Sequence, residues 1–396
     1  MAESIKDRVA IIGMGSTKFG ENFDMSFLDM AVEAAYEAYQ DAGIDPKEVQ
    51  AGWLGTFAPD QAGGFMGQAG SFLATAISLK DRPVTRVTNY CATGMEAVRN
   101  AAFAVAAGVF DIVIAVGCEK MRDVGPRESL IKQIITHGHP IIGKGQTAPG
   151  MFAMMATVHF KRFGTTKEDL AKVAVKNHYN GVRNPKAHFR KEIKLEQALK
   201  APLISDPLGL FDCCPTTDGA AAAILTTPAL AKQIKKNGEY ILVKGMGLSV
   251  VTDTRYFEPG NEYTGFHATQ NAAKLAYKDA GIKDPVKELD CAEVHDCFTI
   301  TEILNYEDLG LCKKGEGGAF IREGRSALSG DMPVNTSGGL KSCGHPIGAS
   351  GVRMTYEIYQ QLLGRAGDRQ IKDAELGLIH NLGGPGSVAC VAIYGR

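Results

Sequence analysis

The sequence predicts an α/β protein made of two related halves, in each of which helices cover a mixed β-sheet. The first observation is an internal repeat: residues 34–44 (AAYEAYQDAGI) match residues 272–282 (AAKLAYKDAGI) at 8 of 11 positions. Each copy has the composition of an alanine-rich helix that ends at a glycine. The second observation is that strand-like and helical segments alternate along the 396 residues, a length that allows two or three domains.

Two weaker echoes follow in the same order. CATG at 91–94 aligns with HPIG at 345–348, each before a predicted helix, and the strand-like IVIAVG at 112–117 aligns with LGLIHN at 376–381. Three matches in one order favour duplication of a whole β/α unit over chance similarity.

The duplication divides the chain into three parts. We predict a first half formed by residues 1–118 and 200–245 and a second half formed by residues 246–396. Residues 119–199, richer in Lys, Arg, His and Met, are predicted to be an inserted loop domain, either a helical decoration or a lid over a substrate. The strands expected in the two halves are residues 8–13, 51–56, 84–90, 112–117, 220–226, 239–247, 290–294, 376–381 and 387–394.

Composition excludes several classes of function. The 43 Lys and Arg residues against 44 Asp and Glu give a net charge of -1. A nucleic-acid partner is therefore not expected, because binding to phosphates needs a surplus of positive charge. No apolar run reaches the roughly 18–20 residues of a membrane span, and the first residues lack the apolar core of a signal peptide. Nine scattered cysteines without a CxxC pair indicate reduced thiols and a cytoplasmic protein.

Residues 9–20 (VAIIGMGSTKFG) look like a dinucleotide-binding fingerprint, but their spacing differs from it. The third glycine of that motif would fall at Lys18, and the next helix is expected to begin near Ser26 instead of directly after the second glycine. Without a helix N-terminus at this point, the phosphates of a dinucleotide would not be held. A nicotinamide enzyme is therefore not predicted.

Cys91 lies at a predicted strand-to-helix turn. Residues 83–90 have the β-branched alternation of a buried strand, and an amphipathic helix is predicted from Cys91 onward. The helix dipole and free backbone N–H groups at that position favour the thiolate, so we expect a lowered pKa and a reactive thiol. A buried structural cysteine is the alternative role for a single Cys.

Two further motifs carry titratable groups. The letters VHDCF place His295 and Cys297 after a short apolar strand, although a histidine bonded within the core fits as well. Residues 334–351 form a glycine-rich turn that brings His345 to the start of a helix. In the repeat alignment His345 takes the position of Cys91, so a pseudo-twofold axis would bring a thiol and an imidazole together.

The last glycine motif, NLGGPG at 381–386, ends a strand in a turn. Backbone N–H groups there could stabilise an oxyanion, or the segment could be a plain β-turn. His137 and His139 suggest zinc, but no partner ligands accompany them at zinc-site spacing. We interpret that pair as an exposed loop and predict no metal.

Taken together, these motifs resemble those of the thiolase superfamily over essentially the whole chain. The segments that carry the resemblance are NYCATG at 89–94, HDCF at 295–298, GLKSCGHPIGASG at 339–351 and GGPG at 383–386. The HDCF form, with FDCCPTTDGAA at 211–221, is similar to the sterol-carrier-protein type of thiolase and its bacterial and archaeal relatives. The resemblance implies a five-layered αβαβα arrangement of two duplicated βαβαβαββ-type halves with an inserted loop domain.

The resemblance also implies roles for individual residues. Cys91 attacks the acyl group and carries it as a thioester, and His345 takes the Cys91 proton. His295, at a position where most thiolases have asparagine, forms an oxyanion hole with His345 for the substrate thioester. The backbone N–H groups of Cys91 and Gly383 form a second oxyanion hole, and Cys297 moves the proton at the α-carbon.

One departure from the family pattern concerns the second cysteine. Many thiolases have it in the final glycine motif, where this chain has Asn381. In the sterol-carrier type Cys297 supplies that thiol, and Cys343 is a competing candidate. Lys341 and Cys343 also depart from the usual apolar residues of that turn.

The implied activity is CoA-dependent cleavage of a 3-oxoacyl-CoA, or the reverse Claisen condensation, with CoA and acyl-CoA as substrates and no further cofactor. The insertion is expected to hold the CoA phosphates. Similar proteins include degradative thiolases, among them one acting on the aromatic 2-benzoylsuccinyl-CoA. A homodimer and a small zinc-ribbon/OB-fold partner are implied in the same way. Four insertion side chains could line the acyl site, although a core stripe is favoured for them: Met151, Phe152, Met154 and Met155.

Two other functions stay open. A retro-aldol lyase on the same scaffold would release a ketone or aldehyde without consuming CoA, but such relatives dispense with the nucleophilic cysteine. A non-catalytic subunit that binds lipid or acyl-CoA would have no need for the complete reactive set.

Overall fold

A computed structural model describes residues 4–58, 68–125, 147–252 and 261–396. The strands are β1 (Ala10–Ser16), β2 (Ala51–Gly55), β3 (Val84–Val87), β4 (Ile112–Glu119), β5 (Leu203–Ser205), β6 (Leu208–Gly209), β7 (Gly219–Thr226), β8 (Ile241–Val250), β9 (Cys291–Val294), β10 (Leu376–Gly383) and β11 (Val388–Gly395). The helices are α1 (Phe27–Ala42), α2 (Ala69–Ala76), α3 (Thr93–Ala106), α4 (Ala148–Phe163), α5 (Lys167–Val182), α6 (Leu195–Leu199), α7 (Pro228–Ile234), α8 (His267–Ala280), α9 (Pro285–Glu288), α10 (Thr299–Asp308), α11 (Gly317–Arg322), α12 (Gly339–Ser342) and α13 (Ile347–Leu362). His137 and His139 lie outside the described residues.

Nine of the strands form one mixed sheet in the order β3-β2-β4-β7-β1-β8-β11-β10-β9, while β5 and β6 form a separate hairpin. Each of the nine predicted strands corresponds to one strand of the large sheet, which confirms the α/β class. The two halves of the sheet join at β1 and β8 through the antiparallel pairs Ala10–Leu242 and Ile11–Ile241.

The strand order is duplicated. In the first half β2 and β4 are parallel, and β4, β7 and β1 follow as antiparallel neighbours. In the second half β9 and β10 are parallel, and β10, β11 and β8 follow in the same way. Even β3, which lies parallel outside β2, has a counterpart in Val334, which pairs in parallel with Ala292 of β9.

Helices cover the two halves of the sheet in layers. Helix α1 packs on β1 and β7, and α8 packs on β8 and β11. Between them α3 packs against α13, and α13 contacts both β4 and β7 of the first half and β10 of the second. The order of layers is therefore outer helix, first half of the sheet, inner helices, second half of the sheet, outer helix. This order confirms the five layers that the resemblance implies.

The glycines of the rejected dinucleotide motif have a packing role. A Cβ atom on Gly13 would lie 2.4 Å from a backbone nitrogen of α1, and one on Gly15 would lie 2.1 Å from a backbone oxygen of α1. In β8, a Cβ atom on Gly245 or Gly247 would lie 2.2 or 2.0 Å from backbone oxygens of α8. Each half therefore uses a Gly-x-Gly strand to let an alanine-rich helix approach closely.

The ends of these repeated helices agree with the sequence signals. Ser26 caps α1 and forms a capping box with Asp29, as the predicted start near Ser26 requires. Gly43 and Gly281 end α1 and α8 in the left-handed conformation, with φ of 75° and 85°.

The segment predicted as an insertion contributes α4, α5 and α6 among the described residues. Of the four α4 side chains predicted to line the acyl site or to form a core stripe, Met151, Phe152 and Met155 are buried, in agreement with a core stripe. Met154 is 46% exposed and lines a cavity of about 490 Å³ between α4, residues 205–206 and Tyr263. The boundaries between halves and insertion stay a prediction. No helix in the described part of the chain is long and apolar enough to cross a membrane.

Candidate active site

The segment that carries Cys91 is a tight elbow between β3 and α3. Tyr90 has a φ of 48°, a left-handed conformation that a bulky side chain rarely adopts. Thr93 closes the elbow: its hydroxyl accepts a hydrogen bond from the backbone N–H of Asn89 at 2.7 Å and donates one to the carbonyl of Tyr90. The elbow thereby presents Cys91 two residues before Thr93, where α3 begins.

The final glycine turn packs directly on this elbow. A Cβ atom on Gly383 would lie 2.8 Å from the carbonyl oxygen of Asn89, so only glycine fits there. The backbone N–H of Gly384 donates a hydrogen bond to the Cys91 thiol. The residue whose N–H bonds the sulfur is thus one position after Gly383; the role predicted for Gly383 stays a prediction.

His345 lies on the turn between α12 and α13. Its Nδ1 is 2.7 Å from the hydroxyl oxygen of Ser350, and that hydroxyl donates to the carbonyl of Pro346 at 2.8 Å. Because the hydroxyl proton is used on Pro346, Ser350 accepts from Nδ1–H of the imidazole. The lone pair is therefore on Nε2 of His345, which is buried and has no hydrogen-bond partner among the described residues.

His295 follows β9 and lies edge-on to His345. The two ring centroids are 5.1 Å apart, with an angle of 84° between the ring planes. The side-chain amide of Asn381, in β10, donates to Nδ1 of His295 at 3.2 Å. This bond leaves Nε2 of His295 as the protonated nitrogen, which is a hydrogen-bond donor.

The predicted meeting of thiol and imidazole occurs in this structure. The Cys91 sulfur and a ring nitrogen from each of His295 and His345 all lie within 4.8 Å of one another. The starts of α3 and α13 can approach closely because glycines lie where they meet. A Cβ atom on Gly94 would lie 2.7 Å from the carbonyl oxygen of Gly348, where the starts of α3 and α13 meet.

Cys297 lies beside this group. Cys297 is 7% exposed, and its sulfur is 3.7 Å from the hydroxyl oxygen of Thr301. Burial, followed by the nearby thiols of Cys214 and Cys91, raises the pKa of Cys297 well above its usual value. Cys214 was not singled out from the sequence; its backbone N–H donates to the carbonyl of Cys297 at 2.9 Å, which brings it to the same edge of the site.

Cys343, the competing candidate, belongs to a separate small cluster of buried residues. Its thiol is 1% exposed and packs with Phe19, Ala187 and Ala349. The side-chain amide of Asn184 lies 3.6 Å from its sulfur. These contacts are those of a structural thiol.

The expectation of a lowered Cys91 pKa is wrong. Burial raises the pKa of Cys91 to about 12, and Glu119 adds to the rise, while the N–H groups of Gly384 and Cys91 itself only partly oppose it. Burial, with a contribution from Arg353, lowers the pKa of His345 to about 3. The site without substrate therefore holds a neutral thiol beside a neutral imidazole, because the cost of desolvation exceeds the effect of the helix terminus.

Glu119 joins the two halves of the chain. This carboxylate, 1% exposed, accepts hydrogen bonds from the backbone of Phe57 at 2.8 Å and of Ala58 at 3.0 Å, and from the Thr56 hydroxyl at 3.0 Å. It also accepts from the backbone N–H of Gly348, in the first turn of α13, at 2.8 Å. It thereby fixes the start of α13 to the first half.

Asp296 has a similar role between the two histidine segments. Its carboxylate accepts hydrogen bonds from the backbone of Leu340 at 2.6 Å and of Lys341 at 3.2 Å, and from the Asn177 amide at 2.8 Å. Burial, with the nearby Glu302 carboxylate, raises the pKa of Asp296 to about 7. The Lys341 ammonium, which also departs from the family pattern, donates to the carbonyl of Cys213.

The segment predicted as an insertion braces this turn. Besides Asn177 of α5, the backbone N–H groups of His188 and Phe189 donate to the carbonyls of Cys343 and Ser342 at 3.0 and 2.9 Å. Phe152 of α4 stacks on Phe298 with ring centroids 4.6 Å apart. The segment is thus one wall of the site.

Comparisons with known proteins identify the family of the chain. Residues 9–229 match the family model described as thiolase, N-terminal domain, and residues 249–396 match the model described as thiolase C-terminal domain-like. An acetyl-CoA acetyltransferase from Methanothermobacter thermautotrophicus is 41% identical over 390 residues, which cover 98% of this chain and 99% of the relative. Sterol carrier protein 2 from Bos taurus is 35% identical over 406 residues, which cover 98% of this chain and 72% of that relative.

Solved structures show the same architecture. The Ltp2-ChsH2(DUF35) aldolase superposes with a TM-score of 0.84 at 25% identity, covering 100% of this chain and 99% of that one. Human mitochondrial 3-ketoacyl-CoA thiolase in complex with CoA has a TM-score of 0.73 at 18% identity, with 100% of each chain covered. With a family model over more than half of the chain and a full-length relative at 41% identity, this chain belongs to the thiolase family and is an acyltransferase of that family.

Proposed function

We propose that the protein cleaves a 3-oxoacyl-CoA with CoA, or condenses two acyl-CoA molecules in reverse, through an acyl thioester on Cys91. The observation that carries this proposal is the approach of the Cys91 sulfur and two imidazole nitrogens to within 4.8 Å. In the cleavage direction the Cys91 sulfur attacks the 3-oxo carbon and its proton passes to Nε2 of His345. The bond between the α-carbon and the former 3-oxo carbon then breaks, which leaves the acyl group on sulfur.

The neutral Cys91 thiol and the neutral His345 imidazole fit this order of reaction steps. The pKa of the Cys91 thiol is raised and that of the His345 imidazole is lowered, so the proton stays on the sulfur at first. It passes to His345 when attack on the 3-oxo carbon makes the sulfur proton acidic. The Ser350 hydroxyl stabilises the imidazolium that forms, because it accepts from Nδ1–H of His345. The proposed base is thus oriented in advance.

Two sets of donors are proposed for the negative oxygens. Nε2–H of His295 and the protonated Nε2 of His345 would stabilise the enolate oxygen of the departing thioester. The backbone N–H of Cys91, with that of Gly383 or Gly384, would stabilise the tetrahedral intermediate on sulfur. One such donor is typically worth about 3–4 kcal/mol.

Cys297 is proposed as the proton donor to the α-carbon of the enolate. Its thiol stays protonated at neutral pH because its pKa is raised, which is the state that a proton donor needs. CoA then attacks the Cys91 thioester: its thiol proton passes to the Cys297 thiolate, the acyl group leaves as a second acyl-CoA, and the Cys91 thiolate takes back its proton from His345. Exposed cations that follow α5 are proposed for the CoA phosphates: Arg190, Lys191 and Lys194.

The decisive experiment is acylation of Cys91. Wild-type protein incubated with acetyl-CoA should gain one acetyl group on the Cys91 peptide, measured by mass spectrometry, and Cys91→Ser should lose at least about 10⁴-fold in turnover. Cys312→Ser is a matched control, because Cys312 lies outside this group of side chains and is partly exposed. Undiminished turnover in Cys91→Ser would contradict the proposal.

A second candidate function is a retro-aldol lyase on acyl-CoA. The similarity to the Ltp2-ChsH2(DUF35) aldolase favours it, and the intact set of Cys91, His295 and His345 favours the thiolase. Product analysis separates them, because a lyase releases a ketone or aldehyde without consuming CoA.

The substrate side chain and the assembly are finer proposals. We propose a degradative role, with an aromatic substrate such as 2-benzoylsuccinyl-CoA to be tested beside short, long and branched 3-oxoacyl thioesters. A homodimer is supported by β3, since its outer edge has no partner strand among the described residues and sheet edges are sites of strand pairing. A small zinc-ribbon/OB-fold subunit is also proposed, because the name of the similar Ltp2-ChsH2(DUF35) aldolase lists two components. Turnover should be compared with and without such a subunit.

A further inference from the structure

We propose that Cys91, His295 and His345 also form a binding site for Zn²⁺, and that bound Zn²⁺ reversibly blocks the thiol. The proposal goes beyond the acyl transfer, because that reaction uses no metal ion. Among the described residues, these three form the only group of three or more His, Cys, Asp or Glu side chains with donor atoms at metal-ligand spacing.

The donor types and their distances fit zinc. Thiolate sulfur and imidazole nitrogen are the ligands that Zn²⁺ prefers in proteins. Tetrahedral Zn²⁺, with bonds of about 2.3 Å to sulfur and about 2.0 Å to nitrogen, holds neighbouring ligand atoms roughly 3.3–3.6 Å apart. The three donor atoms already lie within 4.8 Å of one another, so small side-chain rotations close the site.

Each imidazole has a hydrogen bond on its Nδ1, and the bond on His345 is the kind that a zinc ligand usually makes. A ligating histidine normally bonds a second group through its other ring nitrogen, which fixes the ring. Here Nδ1 of His345 is bonded to Ser350 and Nδ1 of His295 to Asn381. Nε2 of His345 is buried without a partner among the described residues, so a cation there would satisfy an otherwise unpaired lone pair.

His295 needs one rearrangement that His345 does not. Its Nε2 carries the proton when the Asn381 amide donates to Nδ1, so the proton must move for Nε2 to bind a metal. Rotation of the Asn381 amide by 180° supplies this, because its oxygen then accepts Nδ1–H. That oxygen has no hydrogen-bond partner among the described residues in the present orientation.

The surrounding charges permit a cation. Arg353, in α13, opposes positive charge on both imidazoles, but its own charge is offset by Glu293 at 2.5 Å. Glu119 lies close enough to Cys91 to raise its pKa, and its negative charge favours a cation at the sulfur. The step is balanced without any oxidant: Zn²⁺ forms three bonds, the Cys91 thiol proton leaves to solvent, and water takes the fourth position.

Cobalt provides a direct test that needs no turnover. The full-length protein, kept free of CoA and oxygen, is titrated with Co²⁺ while visible and near-ultraviolet absorbance is followed. We expect one Co²⁺ per chain, with the visible bands of tetrahedral cobalt and a thiolate-to-cobalt charge-transfer band. Zn²⁺ should then abolish these bands by displacement.

Variants decide where the ion binds. Cys91→Ala should remove the charge-transfer band, while Cys312→Ser should keep it. Ser350→Ala, which removes only the group that orients His345, should weaken affinity by about 10–100-fold. A band that survives Cys91→Ala, or the absence of any tetrahedral cobalt spectrum in folded wild-type protein, would overturn the proposal.

The functional consequence is tested separately. Zn²⁺ should inhibit acetylation of Cys91 by acetyl-CoA, EDTA should restore it, and prior acetylation should prevent cobalt binding. Because the cobalt spectrum is recorded without substrate, failure of the acylation experiment leaves the metal result intact, and the reverse also holds.

Discussion

The two halves of the chain share a strand order but begin their inner helices differently. In the first half α3 follows a short elbow in which Tyr90 adopts a φ of 48° and Cys91 precedes the helix. In the second half α13 follows a longer turn in which Gly338, Gly339 and Gly344 have positive φ, and His345 precedes the helix. The two halves thus share their strand order, but the residue that precedes the inner helix is a thiol in the first half and an imidazole in the second.

Removal of the His345 side chain, which the second half contributes, should have the largest effect on the chemistry of the two helix starts. His345→Ala should lower kcat toward the upper end of the roughly 10²–10⁴-fold range for a general base, because the same residue is proposed as an oxyanion donor. Steady-state thiolysis of acetoacetyl-CoA measures it. Added imidazole should restore part of the rate, whereas a purely structural defect would gain nothing.

His295 should matter less than His345. His295→Ala should lower kcat by about 10²–10³-fold, the usual cost of one oxyanion donor, with little change in acetylation of Cys91. His295→Asn is the matched variant, since asparagine takes this position in most thiolases and can donate the same hydrogen bond. Equal losses in the two variants would argue against a donor role.

The packing of the outer helices should be equivalent in the two halves. Gly13→Ala and Gly245→Ala each place a methyl group within 2.4 Å of helix backbone atoms, so each should destabilise the fold by about 1–3 kcal/mol. Urea denaturation gives both values. Gly20→Ala is the control, because the nearest described atom to its Cβ would be 3.7 Å away, and unequal losses at Gly13 and Gly245 would break the comparison.

The pH dependence of Cys91 should differ from that of an activated thiolate. Because the pKa of Cys91 is raised to about 12, the fraction of thiolate increases throughout the neutral and alkaline range. Alkylation of the empty site by iodoacetamide should accelerate roughly tenfold per pH unit between about pH 6 and about pH 10. Mass spectrometry of the Cys91 peptide measures the rate, and a plateau below about pH 8 would mean that the thiolate is stabilised after all.

Much of the fold could be predicted from the sequence. All nine strands of the large sheet were predicted as strand-like segments, and the repeat located helices that pack on them. The β5–β6 hairpin was missed because strands of three and two residues show no periodicity. Helix α3 begins at Thr93, two residues later than expected, because Cys91 is held in the elbow.

The site was predicted less completely. Repeat alignment brought Cys91 and His345 together, but it gave no signal for groups that act through long-range contacts. Ser350 is an ordinary helix residue in sequence, and Glu119 ends a strand 229 positions from its partner Gly348. The pKa of Cys91 was predicted in the wrong direction because its degree of desolvation depends on the whole fold.

The meeting of the two inner helices has a consequence for how the family can diverge. Since Gly94 and Gly348 approach each other through peptide atoms, backbone contact sets the separation between the starts of α3 and α13. Substitutions in the inserted segment can then reshape the proposed substrate pocket while the reacting atoms keep their separation. A single reaction chemistry is in this way compatible with very different acyl groups.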